Sequence, residues 1–207
     1  MQLKVCGMRD RYNIAALCRQ HPDYMGFVFY QRSARAVPER DRELQAVIAG
    51  IQGMETIGVF VDEPIALLLQ TVQAYRLNRV QLHGAESPAY CAEVARYIPV
   101  IKAFSIDKAF DWCRPALYEK SCTHFLFDTA TPQYGGSGTA FDWQLLEHYQ
   151  GCKPYFLSGG IGPEQAAALK KITDDRLHAI DINSRFELQP GLKNISLIQT
   201  FHHELYH

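Results

Sequence analysis

Eight short apolar runs, each followed by a segment of helical spacing, alternate along this chain and leave few architectures open to it. The runs cover residues 3–6, 25–29, 56–61, 79–82, 99–104, 124–127, 154–157 and 178–182. They are continuous rather than alternating, as expected of parallel strands that helices cover. Between and after them the spacing predicts helices over 10–20, from Pro38, from Pro64, and over 86–97, 107–119, 142–149, 163–172 and 192–205. Leu44, Val47, Ile48 and Ile51 show the apolar stripe of the second, and Pro115 is a potential break in the fifth. Eight such units predict an α/β fold, a single-domain TIM (β/α)8 barrel spanning 1–207. A doubly wound sheet is the competitor, but no Gly-x-Gly-x-x-Gly follows the first run.

The ends of the runs carry the chemistry. Phe125-Leu-Phe-Asp128-Thr129 ends in a carboxylate, and the glycine loop Tyr134-Gly-Gly136-Ser137-Gly-Thr139 follows it. Other runs end in Cys6-Gly7, Gln81-Leu-His83-Gly84, Ser158-Gly159-Gly160 and Asp181-Ile-Asn183-Ser184. A TIM barrel builds its active site at this end of its strands, often with a phosphate held after strands seven and eight. Gly159 and Gly160 let the backbone approach an anion, and Asn183 and Ser184 add donors. Taken singly, each of these features also reads as an ordinary turn, cap or core thiol.

Composition narrows the partners. A formal charge of −1 gives no general attraction to nucleic acid or to an acidic membrane, so an anionic ligand needs a local site. The six cysteines form no Cys-x-x-Cys pair and the histidines lack ligand spacing, so no metal is expected. No apolar run is long enough to span a bilayer, and Met1-Gln-Leu-Lys-Val-Cys-Gly is unlike a secretory leader. The expectation is a cytoplasmic enzyme with a small-molecule partner.

Several segments together resemble the phosphoribosylanthranilate isomerase family of tryptophan biosynthesis. They are Lys4-Val-Cys-Gly7, Gly26-Phe-Val-Phe29, Ser33-Ala-Arg35, Gly58-Val-Phe60, Val80-Gln-Leu-His-Gly84 and Phe127-Asp-Thr129. Gly135-Gly-Ser-Gly-Thr-Ala-Phe-Asp-Trp143, Leu157-Ser-Gly-Gly-Ile161 and Asp181-Ile-Asn-Ser-Arg-Phe-Glu187 continue the series, with Pro190-Gly191 and Lys193 after them. The resemblance implies an aldose–ketose isomerase, an intramolecular oxidoreductase that needs no cofactor. It converts N-(5-phosphoribosyl)anthranilate to 1-(2-carboxyphenylamino)-1-deoxyribulose 5-phosphate by an Amadori rearrangement. It further implies Cys6 as general base, Asp128 as general acid and Arg35 as the group that meets the substrate carboxylate.

Such roles need tuned protonation. Free cysteine titrates near about 8.5 and aspartate near about 3.9, so the two must be pushed in opposite senses. Arg9 lies close behind Cys6 in sequence and is a candidate influence on it. Gln81, His83, Gly136 and Ser137 are expected to line the pocket, with His83 equally readable as a structural residue. The chain departs from the family at Ala34, commonly proline, which should loosen the Arg35 loop. It departs again at Asn183-Ser184-Arg185, commonly Ser-Ser-Gly, where Arg185 either points outward or adds charge near the phosphate.

Other phosphosugar isomerases and epimerases on this fold are the alternative enzymes, and the lysine–glutamate, metal-site or paired-aspartate sets they would want are not assembled here. A non-catalytic phosphosugar-binding barrel is the alternative of another class. A monomer and a homodimer both remain open.

Overall fold

A computed structural model describes residues 1–130 and 142–206. Eight parallel strands close into one barrel in chain order. They are β1 (Gln2–Val5), β2 (Tyr24–Val28), β3 (Glu55–Phe60), β4 (Arg79–Leu82), β5 (Val100–Ile106), β6 (His124–Thr129), β7 (Tyr155–Leu157) and β8 (Leu177–Ile182). Closure comes from β1 against β8, with Lys4 opposite Asp181 and Val5 opposite Ile182. Around the barrel lie α1 (Arg11–Cys18), α2 (Arg42–Ala49), α3 (Ile65–Tyr75), α4 (Pro88–Val94), α5 (Ala166–Leu169) and α6 (Ile195–Tyr206). No described helix is long and apolar enough to cross a membrane.

Strand alternation divides the core in two. Leu3, Val5, Val80, Leu82, Phe125, Phe127, Ile180 and Ile182 face outward into the shell that the helices cover. Tyr24, Ile57, Ile101, Ala103, Leu126, Phe156 and Ala179 fill the barrel interior. Helix starts follow local side chains. Asp10 accepts from Asn13 N at 2.8 Å, Asp41 from Leu44 N at 2.9 Å and Ser87 from Tyr90 N at 3.2 Å.

The second half of the chain is less helical than its spacing predicts. Over 107–119 only a 3-10 segment forms, Arg114–Tyr118. Asp107 and Asp111 instead close turns onto Ala109 N and Cys113 N, both at 2.9 Å, and Pro115 follows. The segment 142–149 is likewise 3-10, Trp143–His148, and 163–172 splits into a 3-10 turn and the four-residue α5. Residues 192–193 are not helical. They form β10 (Leu192–Lys193), antiparallel to β9 (Glu187–Gln189). Strand β6 runs on through Thr129, so Asp128 is held by the sheet, with its partner Ser105 on β5.

The N-terminal end of the barrel is plugged by rings. His124 and His178 stand 4.5 Å apart between centroids, and both pack on Phe156. Tyr24 Oη hydrogen-bonds His178 Nε2 at 2.8 Å and Gln2 Oε1 at 2.9 Å. Burial, then the neighbouring His178, pushes His124 down to about 4, and burial also lowers His178. The unfolded chain, titrating near about 6.5, therefore binds more protons than the folded one below that pH. Stability should be full above about pH 6.5 and fall as pH drops toward 4. For His124 the loss is on the order of 1–3 kcal/mol, the lower part of the range reflecting its partial exposure. Urea unfolding at pH 7 and pH 5 checks this. His124→Phe should flatten the slope, and an equal slope in the variant would refute the assignment.

Candidate active site

The C-terminal mouth of the barrel holds one cavity. It is lined by Cys6, Arg35, Gln81, His83, Asp128, Gly159, Gly160, Asn183 and Ser184, all expected from sequence, and by Lys4's partner Asp181. Gly136 and Ser137 lie outside the described residues. Among the described residues no cluster of three His, Cys, Asp or Glu could hold a metal.

Cys6 is the first residue past β1, and its N–H donates to Ile182 O at 2.9 Å. Its position depends on Gly26, where a Cβ would stand only 2.7 Å from the sulfur. Lys4, two residues earlier on the inward row, is wholly buried. Its ammonium donates to Asp181 Oδ2 and to Gln81 Oε1, both at 2.8 Å. Burial pushes the Cys6 thiol up, Lys4 and then Lys193 pull it down, and Asp181 sides with burial. The resting group is thus the thiol, flanked by two cations. Burial also pushes Asp181 up, against the pull of Lys4. Lys4 itself is raised, since Asp181 and Cys6 together outweigh its desolvation. Arg9, the cation expected from sequence, is elsewhere: its Nη1 donates to Ala34 O at 2.9 Å. That bond, with Arg35 N on Ser33 Oγ at 3.1 Å and Ala36 N on Ser33 O at 3.0 Å, holds the loop where proline was expected to be missed.

Asp128 accepts from Thr129 N on Oδ1 at 2.9 Å, and Oδ2 lies 3.4 Å from His83 Nε2. His83 Nδ1 is 2.8 Å from Gln81 Nε2. Gly159, at φ +89°, carries the loop past Asp128, and a Cβ there would come within 2.9 Å of Oδ1 and closer still to Thr129. Gly160, Asn183 and Ser184 complete that side of the cavity. Arg185 turns to Glu164, with 2.9 Å between them.

Arg35 is anchored by a residue to which the sequence reading gave no role. Glu187, the first residue of β9, takes Arg35 Nε at 3.0 Å and Nη2 at 2.7 Å. It also takes Lys193 Nζ at 2.8 Å and Gly191 N at 3.0 Å. Burial opposes its charge, but Arg35 and Lys193 hold the Glu187 carboxyl below the usual range. Arg35 thus meets Glu187 through the Nε and Nη2 edge of its guanidinium. Lys4 and Asp181 were each legible as charges within apolar strand segments, the one signal that could have found them, whereas Glu187 carries no such signal.

The chain matches the family described as N-(5'-phosphoribosyl)anthranilate (PRA) isomerase over residues 3–204. It is 40% identical over 208 residues to an N-(5'-phosphoribosyl)anthranilate isomerase of Parabacteroides distasonis, covering 100% of this chain and 94% of that one. Phosphoribosyl anthranilate isomerase from Thermotoga maritima superposes with a TM-score of 0.85 at 32% identity, covering 99% of this chain and 98% of that one. A second solved structure, at 0.81 and 28% over 99% and 98% of the chains, is a phosphoribosyl anthranilate isomerase in complex with reduced 1-(o-carboxyphenylamino)-1-deoxyribulose 5-phosphate. With the fold, the strand-end residues and these likenesses in agreement, the chain belongs to the N-(5'-phosphoribosyl)anthranilate isomerase family, isomerases of tryptophan biosynthesis.

Proposed function

We propose that this cavity converts N-(5-phosphoribosyl)anthranilate to 1-(2-carboxyphenylamino)-1-deoxyribulose 5-phosphate, with Cys6 as base and Asp128 as acid. The observation that carries the reading is that one cavity joins Cys6 and Asp128 to Gly159, Gly160, Asn183, Ser184 and Arg35. A phosphate is received by the backbone and side-chain donors after β7 and β8. The anthranilate carboxylate meets the guanidinium of Arg35.

Asp128 then protonates the furanose ring oxygen, and the ring opens to a protonated Schiff base. That cation develops within a site already poised by Lys4 and Asp181, and favours the thiolate of Cys6. The thiol proton passes to solvent, the thiolate takes the proton from C2 and is a thiol again, and the enolamine tautomerises to the ketone. A buried thiolate is hard to form but strongly basic once formed, which suits a carbon acid. The neighbour's bound ligand, a reduced form of the product, has the same phosphate and carboxylate ends that these two anion sites would take.

Purified protein mixed with freshly prepared phosphoribosylanthranilate should consume the anthranilate fluorescence catalytically. Tight binding of a product analogue with no turnover would replace this reading with a phosphosugar-binding barrel.

A further inference from the structure

We infer that Lys4, a residue no substrate reaches, sets the ring tautomer of His83 through Gln81 and so aims an N–H at Asp128. Lys4 is thereby a positioning residue for the acid, and the inference rests on Asp128 having that role.

The argument is one of donor order. An ammonium only donates, so the Gln81 amide must present its oxygen to Lys4, 2.8 Å away. The amide nitrogen is left on the other side, where it meets His83 Nδ1 at 2.8 Å. An N–H donor there requires Nδ1 to be bare. The neutral ring then carries its proton on Nε2, 3.4 Å from Asp128 Oδ2. Donation therefore runs one way, from Lys4 through Gln81 to His83, whose own N–H is left facing Asp128. Turning the Gln81 amide around breaks its bond to Lys4, whose wholly buried side chain is also pinned by Asp181, and turning the His83 tautomer around sets an N–H against the amide N–H.

The direction matters to the acid. Thr129 N donates to Oδ1 at 2.9 Å, and the ring N–H faces Oδ2 from 3.4 Å. The transferable proton is left on a lone pair free for the substrate, and the carboxylate that remains is stabilised. The opposite tautomer would present a bare Nε2, which would accept the Asp128 proton and hold it from the ring oxygen.

The test is a two-bond 1H–15N correlation spectrum of protein labelled in its histidines, with His83 identified by loss of its signals in His83→Asn. Wild type should show Nδ1 bare and Nε2 protonated. Lys4→Met leaves Asp181 without its cation and can fail to fold, so Gln81→Glu is the deciding variant. It keeps an acceptor for Lys4 and removes the donor from Nδ1. The ring proton should move to Nδ1, and kcat should fall about tenfold, one hydrogen bond's worth, with KM changed less. A wild-type ring protonated at Nδ1, or a Gln81→Glu ring that keeps a bare Nδ1, would overturn the inference. So would an unchanged kcat in that variant. The tautomer is read without turnover, whereas the acid assignment is read from Asp128→Asn, so the two can fail separately.

Discussion

Cys6→Ala should fold and yet lose roughly 10²–10⁴-fold in kcat, the usual worth of a positioned base, and Asp128→Asn should lose a similar factor. Cys6 is nearly fully buried beside Gly26, so alanine removes one sulfur and leaves a small void against neighbours that already pack closely. Its stability cost is small beside its catalytic one. The pH dependence has a definite sign. Burial raises the Cys6 thiol despite Lys4 and Lys193, so the basic form accumulates as pH rises through a value above that of an ordinary cysteine. The base-dependent limb of kcat/KM should therefore climb with pH, and it should be missing from the residual activity of Cys6→Ala. Cys6→Ser should not restore the rate, because a serine hydroxyl is far less acidic than a thiol. Single-turnover and steady-state rates for wild type and the three variants, from pH 6 to pH 9.5, decide the matter. A Cys6→Ala enzyme within a few-fold of wild type would remove Cys6 from the mechanism and shift attention to Asp181, the other carboxyl group at that level of the barrel.

Where sequence and structure agree, periodicity is the reason. Leu3, Val5, Phe125, Phe127, Ile180 and Ile182 mark the outward rows, and they place Lys4, Asp128 and Asp181 inward without further information. Asp128, Gly159, Gly160, Asn183 and Ser184 were legible because they end strands whose order sets where their loops meet. What was not legible depends on contacts between distant segments. The helical spacing of 107–119 gave no warning that Asp107 and Asp111 would each close a turn instead. Arg9 stands three residues from Cys6 in the chain and yet serves the Arg35 loop, while Lys193, far along the chain, is among the cations that act on the thiol. The bond between Arg35 and Glu187 joins residues 152 positions apart, and no local pattern announces it.

Glu86→Ala is expected to cost about 3–5 kcal/mol, a large share of the roughly 5–15 kcal/mol that holds a domain together. Glu86 and Lys102 form an ion pair at 2.9 Å with both side chains 1% exposed. Lys102 sits on the outward row of β5, between Ile101 and Ala103 of the interior, and its ammonium also reaches Leu82 O at 3.1 Å and Gly84 O at 2.8 Å. The carboxylate takes in addition Asp62 N at 2.9 Å and Gly84 N at 3.0 Å. One buried pair thus closes the loops after β3 and β4, and it does so immediately beyond His83. Alanine at 86 leaves a buried ammonium with two carbonyls and no counter-ion, and two backbone N–H groups lose their acceptor. Lys102→Met should cost less, because the carboxylate it strands keeps those N–H groups. The double variant Glu86→Ala/Lys102→Met should lose less than the sum of the singles by about 1–3 kcal/mol, since neither charge is then left alone. Urea unfolding of the four proteins at one pH gives that coupling directly. Strict additivity would mean that the pair contributes through packing rather than charge, and that the backbone N–H groups around Gly84 are what hold the His83 loop in place.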